Sequence, residues 1–170
     1  MEAEKLKAQE PLAKRGRKSD AVSEMAEDFR RKHREGRVVV KGREIPFQQG
    51  RQGLIKTYLA PDLEDLPPTG FLMFIHDIRT HSGKHRHQGG TALFVLEGEG
   101  YTVVDGERVD WEAGDLILLP IKPAGVDHQH FNKKMGEGCK WLSFIYLPIK
   151  KMMGHPLNQI ENSPDWKGEN

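Results

Sequence analysis

The sequence predicts an all-β domain, a small antiparallel barrel, preceded by a single helix. From residue 37 onward, short apolar runs alternate with clusters of Gly, Pro, Asn and Asp, a pattern typical of all-β barrels and sandwiches. Asp105-Gly106, between two such runs, predicts a two-residue type I′ hairpin in which both residues have positive φ. The strands expected on this basis are residues 37–40, 53–59, 70–78, 92–97, 100–104, 107–111, 115–119, 128–132 and 139–147.

A charged amphipathic helix is expected ahead of the barrel, over residues 19–34. Ser19 or Asp20 can cap its N-terminus, and Gly36 can end it. The apolar residues that recur at helical spacing are Val22, Met25, Ala26 and Phe29. We expect this helix to cover the outside of the barrel or to lie across a subunit interface.

The chain is expected to divide into three parts. Residues 1–36 form a charged N-terminal extension, of which 1–17 are expected to be disordered. Residues 37–150 form the barrel, and residues 151–170 form a polar C-terminal tail that packs locally and then frays. A barrel of this size has exposed sheet edges that a second copy can bury, so we expect a homodimer to which residues 37–59 and the helix contribute.

Composition argues against several classes of protein. The net charge is +1, and acidic residues are interleaved with the basic ones of the N-terminal extension, which disfavours nucleic-acid binding. No apolar run approaches the roughly 20 residues of a transmembrane helix, and the first residues are charged, unlike a secretory signal. The single cysteine, Cys139, has no partner for an internal disulfide. The expectation is a cytoplasmic protein without nucleic-acid or membrane partners.

Two histidine pairs, His85/His87 and His128/His130, carry the clearest chemical signal. Residues i and i+2 of a strand face the same side, about 6.6–6.8 Å apart, so both imidazoles of a pair can turn toward one ion. Three or four inward histidines from two strands would leave coordination positions open for a substrate. Neutral imidazoles suit iron, copper, nickel or zinc better than magnesium or calcium.

The residues around both pairs resemble the two cupin motifs. The segment Gly83-Lys-His-Arg-His-Gln-Gly-Gly-Thr-Ala-Leu-Phe-Val-Leu-Glu-Gly98 resembles the first motif, except that Thr91 stands where most cupins have a glutamate ligand. Pro123-Ala-Gly-Val-Asp-His-Gln-His-Phe-Asn132 matches the second motif without gaps. The resemblance covers about residues 70–147 and implies a double-stranded β-helix, or jelly-roll barrel, with one divalent ion on His85, His87 and His128.

Within the cupins, the phrases around these histidines look like those of gentisate 1,2-dioxygenases. That resemblance implies Fe(II), with Mn, Ni or Zn possible, and an O2-dependent cleavage of a C–C bond in an aromatic hydroxy-acid or similar chelating molecule. Without a glutamate ligand the ion keeps its full double charge, which favours an anionic substrate. His130 is then either a catalytic acid or base, or a group that orients the substrate, or a rim residue bonded to backbone. Gentisate dioxygenases contain two cupin repeats, whereas this chain contains one.

Two other functions stay open at this stage. A lyase or isomerase would use Mn, Ni or Zn as a Lewis acid, and a binding protein would hold a small molecule without changing a bond. Among other polar residues near the motifs, His76 is expected in the core. Arg79 and Arg86 could pair with a substrate carboxylate, although Arg86 should face outward because it lies between two inward histidines.

Overall fold

The computed structural model describes residues 19–63, 66, 70–152 and 157–168, so the disorder expected for residues 1–17 lies outside the described residues. It is built mainly of antiparallel strands with one long helix at its N-terminal side. The elements are α1 (Ser19–Glu35), a 3₁₀ turn (Gly42–Glu44), β1 (Gln48–Gly50), β2 (Gly53–Leu59), β3 (Phe71–Asp77), β4 (Lys84–His87), β5 (Thr91–Glu97), β6 (Glu99–Val104), β7 (Glu107–Glu112), β8 (Leu116–Leu119), β9 (Val126–Asn132), β10 (Lys140–Tyr146), α2 (Leu147–Met152) and β11 (Asn158–Glu161).

The strands form two sheets, and the chain passes back and forth between them. The first sheet has the order β1-β2-β3-β10-β5-β8, and the second has the order β11-β4-β9-β6-β7. From β3 to β10 the chain alternates between the sheets, with only the β6–β7 hairpin staying in one. This alternation is the double-stranded β-helix that the motifs imply, so the predicted fold is confirmed.

An apolar core lies between the inward faces of the two sheets. Two of the three tryptophans, Trp111 and Trp141, are buried in it. Burying one such large apolar side chain stabilises the fold by about 1.5–3 kcal/mol. The core residues are Ile78, Leu93, Val95, Trp111, Ile117, Cys139 and Trp141. Burial also raises the pKa of the Cys139 thiol to about 12, so this cysteine is inert at neutral pH.

Two turns explain why glycine stands at positions 98 and 106. Asp105 and Gly106 have φ of 49° and 90°, which confirms the type I′ hairpin between β6 and β7. Gly98, the glycine of the first motif, has φ of +83°, and a Cβ at this position would lie 2.3 Å from the carbonyl oxygen of Gly138. Only glycine fits there, since it has neither the steric penalty at positive φ nor the colliding atom.

The strand expected at residues 37–40 is wrong. This segment has no regular structure, and Val38 is 92% exposed. Its three valines favour a strand by propensity, but β-propensity mostly reflects packing against neighbouring strands, and none lies beside this segment. The first sheet begins later, at β1.

The frayed end expected for the C-terminal tail is also wrong for residues 158–161. Asn158–Glu161 is β11, which pairs with β4 and forms an edge of the second sheet. Beyond it, the backbone N–H of Ser163 donates to the carbonyl of Arg51 over 2.7 Å, and the Ser163 hydroxyl donates to the carbonyl of His81 over 3.1 Å. The tail is therefore held against the strand that carries two of the candidate ligands.

Helix α1 begins at Ser19 and ends at Glu35, and the backbone N–H of Gly36 closes its last turn on the carbonyl of Lys32. Its apolar side does not cover the barrel, because Val22, Met25 and Phe29 are each at least half exposed. The homodimer, for which such an exposed stripe would be available, stays a prediction. No helix in the described ranges combines the length and apolar character needed to cross a membrane.

Candidate metal centre

Three histidines meet on two adjacent strands of the second sheet. His85 and His87 lie on β4, and His128 lies on β9 directly opposite His85 in the antiparallel register. The ring centroids are 4.1 Å apart for His85 and His128, 4.6 Å for His87 and His128, and 5.5 Å for His85 and His87. One nitrogen of each ring lies within 4.8 Å of one nitrogen of each of the others, and all three side chains are buried. This arrangement can hold one metal ion.

Backbone groups fix the three rings. The Nδ1–H of His85 donates to the carbonyl of Gly83 over 3.2 Å, and the Nδ1–H of His128 donates to the carbonyl of Val126 over 3.0 Å. Each of these two rings therefore carries its lone pair on Nε2, the arrangement in which metal-binding histidines are usually held. A different backbone group orients His87: the N–H of Gly89 donates to its Nδ1 over 3.0 Å.

Burial favours the neutral form of His85 and His130, and the neutral imidazole is the form that can bind a metal. Burial lowers the pKa of His85 to about 2, with repulsion from His128 and His87 as further causes. Burial likewise lowers the pKa of His130 well below its usual value, and His128 adds to the effect. The donor set is thus three imidazole nitrogens without a carboxylate.

A cavity of about 280 Å³ opens between the sheets in front of these rings. Thr91, at the position of the usual glutamate ligand, is buried in its wall. None of the described residues around the cavity is an Asp, Glu, Lys or Arg. The lining residues are Gln52, Ile55, Thr57, Leu72, Phe74, His85, His87, Thr91, Leu93, Leu119, His128, His130, Trp141, Ser143, Ile145 and Leu157.

The two arginines considered as carboxylate partners lie outside this cavity. Arg79 is exposed and does not line it. Arg86 faces outward, as expected from its place between two inward histidines, and forms a bidentate ion pair with Asp127 in which Nη2 lies 3.0 Å from Oδ2. Arg86 and Asp127 are cross-strand partners, so this pair ties β4 to β9 on the outer face. Neither arginine is placed to bind a substrate in the cavity.

His76 is buried, as expected for a core residue, and lies outside the three-histidine group. Its ring packs edge-on against Trp141, with centroids 4.9 Å apart. Burial lowers its pKa to about 4, and the backbone of Gln52 acts in the opposite direction.

His130 lines the cavity on the same face of β9 as His128, but it is not one of the three converging rings. Its Nδ1 lies 2.8 Å from the hydroxyl oxygen of Thr102, its cross-strand partner on β6. The same hydroxyl accepts the Nε1–H of Trp111 over 2.9 Å. Sequence reasoning missed Thr102 and Trp111, since no motif marks them and their pairing depends on the register of β6 against β7 and β9.

The Thr102 hydroxyl determines which nitrogen of His130 carries the proton. Its oxygen is fully buried and already accepts from Trp111, and among the described residues Nδ1 of His130 is the acceptor available for its own hydrogen. The neutral His130 ring therefore has its proton on Nε2. In this form it can donate a hydrogen bond from Nε2 and cannot accept a proton there.

Replacing Thr102 with valine is expected to lower the free energy of unfolding by about 1–3 kcal/mol, because it leaves two buried nitrogens without partners. Thr102→Ser keeps the hydroxyl and should restore the ¹⁵N shifts of the His130 ring, which report its tautomer. Urea unfolding and these shifts are the measurements. Unchanged His130 shifts in the valine variant would contradict the assigned tautomer.

The metal-free protein is expected to lose stability as the pH falls below about 6.5. The folded-state pKa values of His76 and His85 lie at about 4 and about 2, so in this range the unfolded chain binds protons that the folded chain does not. Each such ring lowers the free energy of unfolding by about 2 kcal/mol between pH 7 and pH 5. Urea unfolding at both values tests this, and His76→Leu should flatten the slope. A free energy of unfolding that is equal at both pH values would refute the expectation.

Comparison with known proteins shows similarity to cupin domains over most of the barrel. Residues 74–145 match the cupin domain family. A gentisate 1,2-dioxygenase from Ralstonia sp. is 41% identical over 66 residues, which are 38% of this chain and 18% of that protein. A 5-aminosalicylate 1,2-dioxygenase from Comamonas sp. is 27% identical over 116 residues, which are 64% of this chain and 30% of that protein. The matches thus span at most 30% of the length of these two relatives.

Among solved structures, a variant salicylate 1,2-dioxygenase from Pseudoaminobacter salicylatoxidans, in complex with gentisate, has a TM-score of 0.52 at 22% identity. The match covers 87% of this chain and 39% of that one. At this identity the likeness shows a shared fold. The two histidine motifs, the alternating sheets and the matched residues all lie on the same strands. Residues 74–145 therefore resemble a cupin domain, with a cluster of three histidines and with sequence similarity to gentisate 1,2-dioxygenases over part of their length.

Proposed function

We propose that this protein is a non-haem Fe(II) dioxygenase that cleaves a C–C bond in an aromatic hydroxy-acid or a similar chelating small molecule. The observation that carries the proposal is the convergence of His85, His87 and His128 at the wall of a cavity. The likeness of the surrounding sequence to ring-cleaving dioxygenases favours iron.

Three neutral nitrogens fit a divalent transition metal and leave further coordination positions open. When bound, Fe(II) would supply a redox-active, Lewis-acidic centre for a chelating substrate and O2. His85, His87 and His128 would hold the ion on the second sheet. The apolar walls formed by Phe74, Leu93 and the residues around them exclude water from the reacting groups.

His130 has a separate part in this proposal. Its Nε2–H, fixed by the Thr102 contact, donates a hydrogen bond to an oxygen of the bound substrate and so orients it. Among the roles open to a histidine at this place, the assigned tautomer disfavours that of a general base.

The test is metal analysis of freshly purified protein, followed by anaerobic loading with Fe(II) and addition of salicylate, gentisate or a β-diketone. A substrate should produce a ligand-to-metal absorption band without O2 and consume one O2 per molecule on aeration. Iron-loaded protein that takes up no O2 with any member of this panel would remove the dioxygenase proposal.

A second candidate is a lyase or isomerase that uses Mn, Ni or Zn as a Lewis acid. It is favoured by the donor set, because three neutral nitrogens and Thr91 leave the double charge of the ion without a compensating carboxylate. Such a centre polarises a substrate carbonyl strongly. Turnover that persists under anaerobic conditions with zinc would support this function over the first.

A further inference from the structure

The wall of the cavity opposite the histidines contains two polar atoms that lack partners. They are Nε1 of Trp141 and Oγ of Ser143, both buried, and neither has a hydrogen-bond partner among the described residues. Both side chains lie on the inward face of β10 in the first sheet, two residues apart, and both line the cavity. The sequence gives no hint of Ser143, which lies outside both histidine motifs.

The neighbours of these atoms do not supply the missing bonds. Ser143 is flanked in the register by Phe74 on β3 and Leu93 on β5, neither of which has a polar side chain. Trp141 is flanked by His76, whose Nε2 also lacks a partner. That nitrogen lies 2.4 Å from the place where a Cβ of Gly53 would stand, so it points toward β2 and away from β10.

A buried donor without a partner is costly, and native proteins keep few of them. Here two such atoms lie on neighbouring inward positions and face the cavity that contains the candidate metal centre. This arrangement indicates that a ligand completes their hydrogen bonds. The Trp141 ring lies 5.0 Å from the ring of His130, centroid to centroid, so the pair borders the space in front of the histidines.

We propose that Ser143 Oγ and Trp141 Nε1 form a second subsite, which binds an uncharged oxygen of the substrate on the side away from its metal-chelating group. This inference depends on the metal binding of the proposed function but not on its O2 chemistry. Trp141 can only donate and Ser143 can donate as well, so the bound atom is an acceptor such as a hydroxyl or carbonyl oxygen.

The residues of the cavity wall indicate that the substrate oxygen bound at this subsite is uncharged. Among the described lining residues there is no Lys or Arg that could pair with a second carboxylate, and an unpaired buried charge is far more costly than an unpaired neutral group. The substrate class is therefore a chelating head, an apolar body and one neutral oxygen at the far end. A substrate with two separated carboxylates does not fit.

The experiment measures binding to the full chain loaded with redox-inert Zn²⁺, so that no turnover occurs. Salicylate is compared by calorimetry with its 3-, 4- and 5-hydroxy derivatives, which add one neutral oxygen at different ring positions. In the wild-type protein one derivative should bind about 5- to 10-fold more tightly than salicylate, the effect of one or two hydrogen bonds. In Ser143→Ala and in Trp141→Phe this preference, taken relative to salicylate binding by the same variant, should fall to about 2-fold or less.

The melting temperature without ligand distinguishes a ligand-binding role of Ser143 from a structural role. Because the Ser143 hydroxyl has no partner in the described residues, Ser143→Ala should melt at the same temperature as the wild-type protein or higher. The exposed Ser23→Ala is the matched control and should change neither binding nor melting. A preference for the hydroxylated ligand that survives in both cavity variants, or tightest wild-type binding by salicylate itself, would overturn the proposal. Loss of O2 uptake alone would count against the dioxygenase proposal and leave this one intact.

Discussion

His128→Ala is expected to abolish metal binding, with at least about a 100-fold loss of affinity, and all metal-dependent activity with it. His128 is the central member of the three, since its ring lies 4.1 Å from that of His85 and 4.6 Å from that of His87, while those two are 5.5 Å apart. Removing it leaves two nitrogens on one strand, and losing even a group that merely orients a ligand costs about 10- to 100-fold in metal affinity.

The measurement is metal content after reconstitution under reducing conditions, together with titration of the metal-free protein. The matched control is His33→Ala, which removes an exposed histidine of α1 whose only described polar contact is to the carbonyl of Phe29. His33→Ala should bind one equivalent of metal like the wild-type protein. A His128→Ala variant that still binds one equivalent tightly would show that the ion lies elsewhere.

Gly89→Ala is expected to destabilise the fold by more than about 2 kcal/mol and to weaken metal binding. Gly89 has φ of +84°, and a Cβ at this position would lie 1.8 Å from the carbonyl oxygen of Pro120. An L-residue at positive φ costs about 1–2 kcal/mol, and the backbone must shift in addition. Because the N–H of Gly89 donates to Nδ1 of His87, that shift also releases the His87 ring.

Gly114→Ala separates these two costs. Gly114 has a similar φ of +96° but nothing within 4 Å of its Cβ position, so it should show the conformational cost without the collision. Urea unfolding and metal titration of both variants are the measurements. We expect Gly114→Ala to bind metal normally. If both glycine variants lost the same stability and kept their metal affinity, the contact between Gly89 and His87 would have no part in the site.

The shared facing of His85 and His87 could be predicted because their arrangement is local. A spacing of two residues on a strand places His85 and His87 on one face whatever the rest of the chain does, and the second motif places His128 on a neighbouring strand. The type I′ hairpin was equally predictable, since it depends only on Asp105 and Gly106. Helix α1 was expected over residues 19–34 and extends over Ser19–Glu35, with Gly36 at its end as expected.

What the sequence could not provide depends on pairing between distant segments. Thr102 meets His130 because β6 and β9 pair in one register, and a shift of one residue would turn both side chains outward. The strand expected at residues 37–40 does not form, because none of the described strands lies beside its valines. β11 was missed because Asn158-Gln-Ile-Glu161 is short and polar, and nothing but its contact with β4 makes it a strand.

The position of β11 also sets the order in which the site can be completed. During synthesis, β4 and β9 leave the ribosome long before Asn158, and until then one edge of β4 exposes the backbone groups that β11 later covers. An open edge is prone to pair with other chains. The strand that carries His85 and His87 is therefore covered only after Asn158–Glu161 has paired with it, and an insertion between this segment and Ser163 is expected to disturb that pairing.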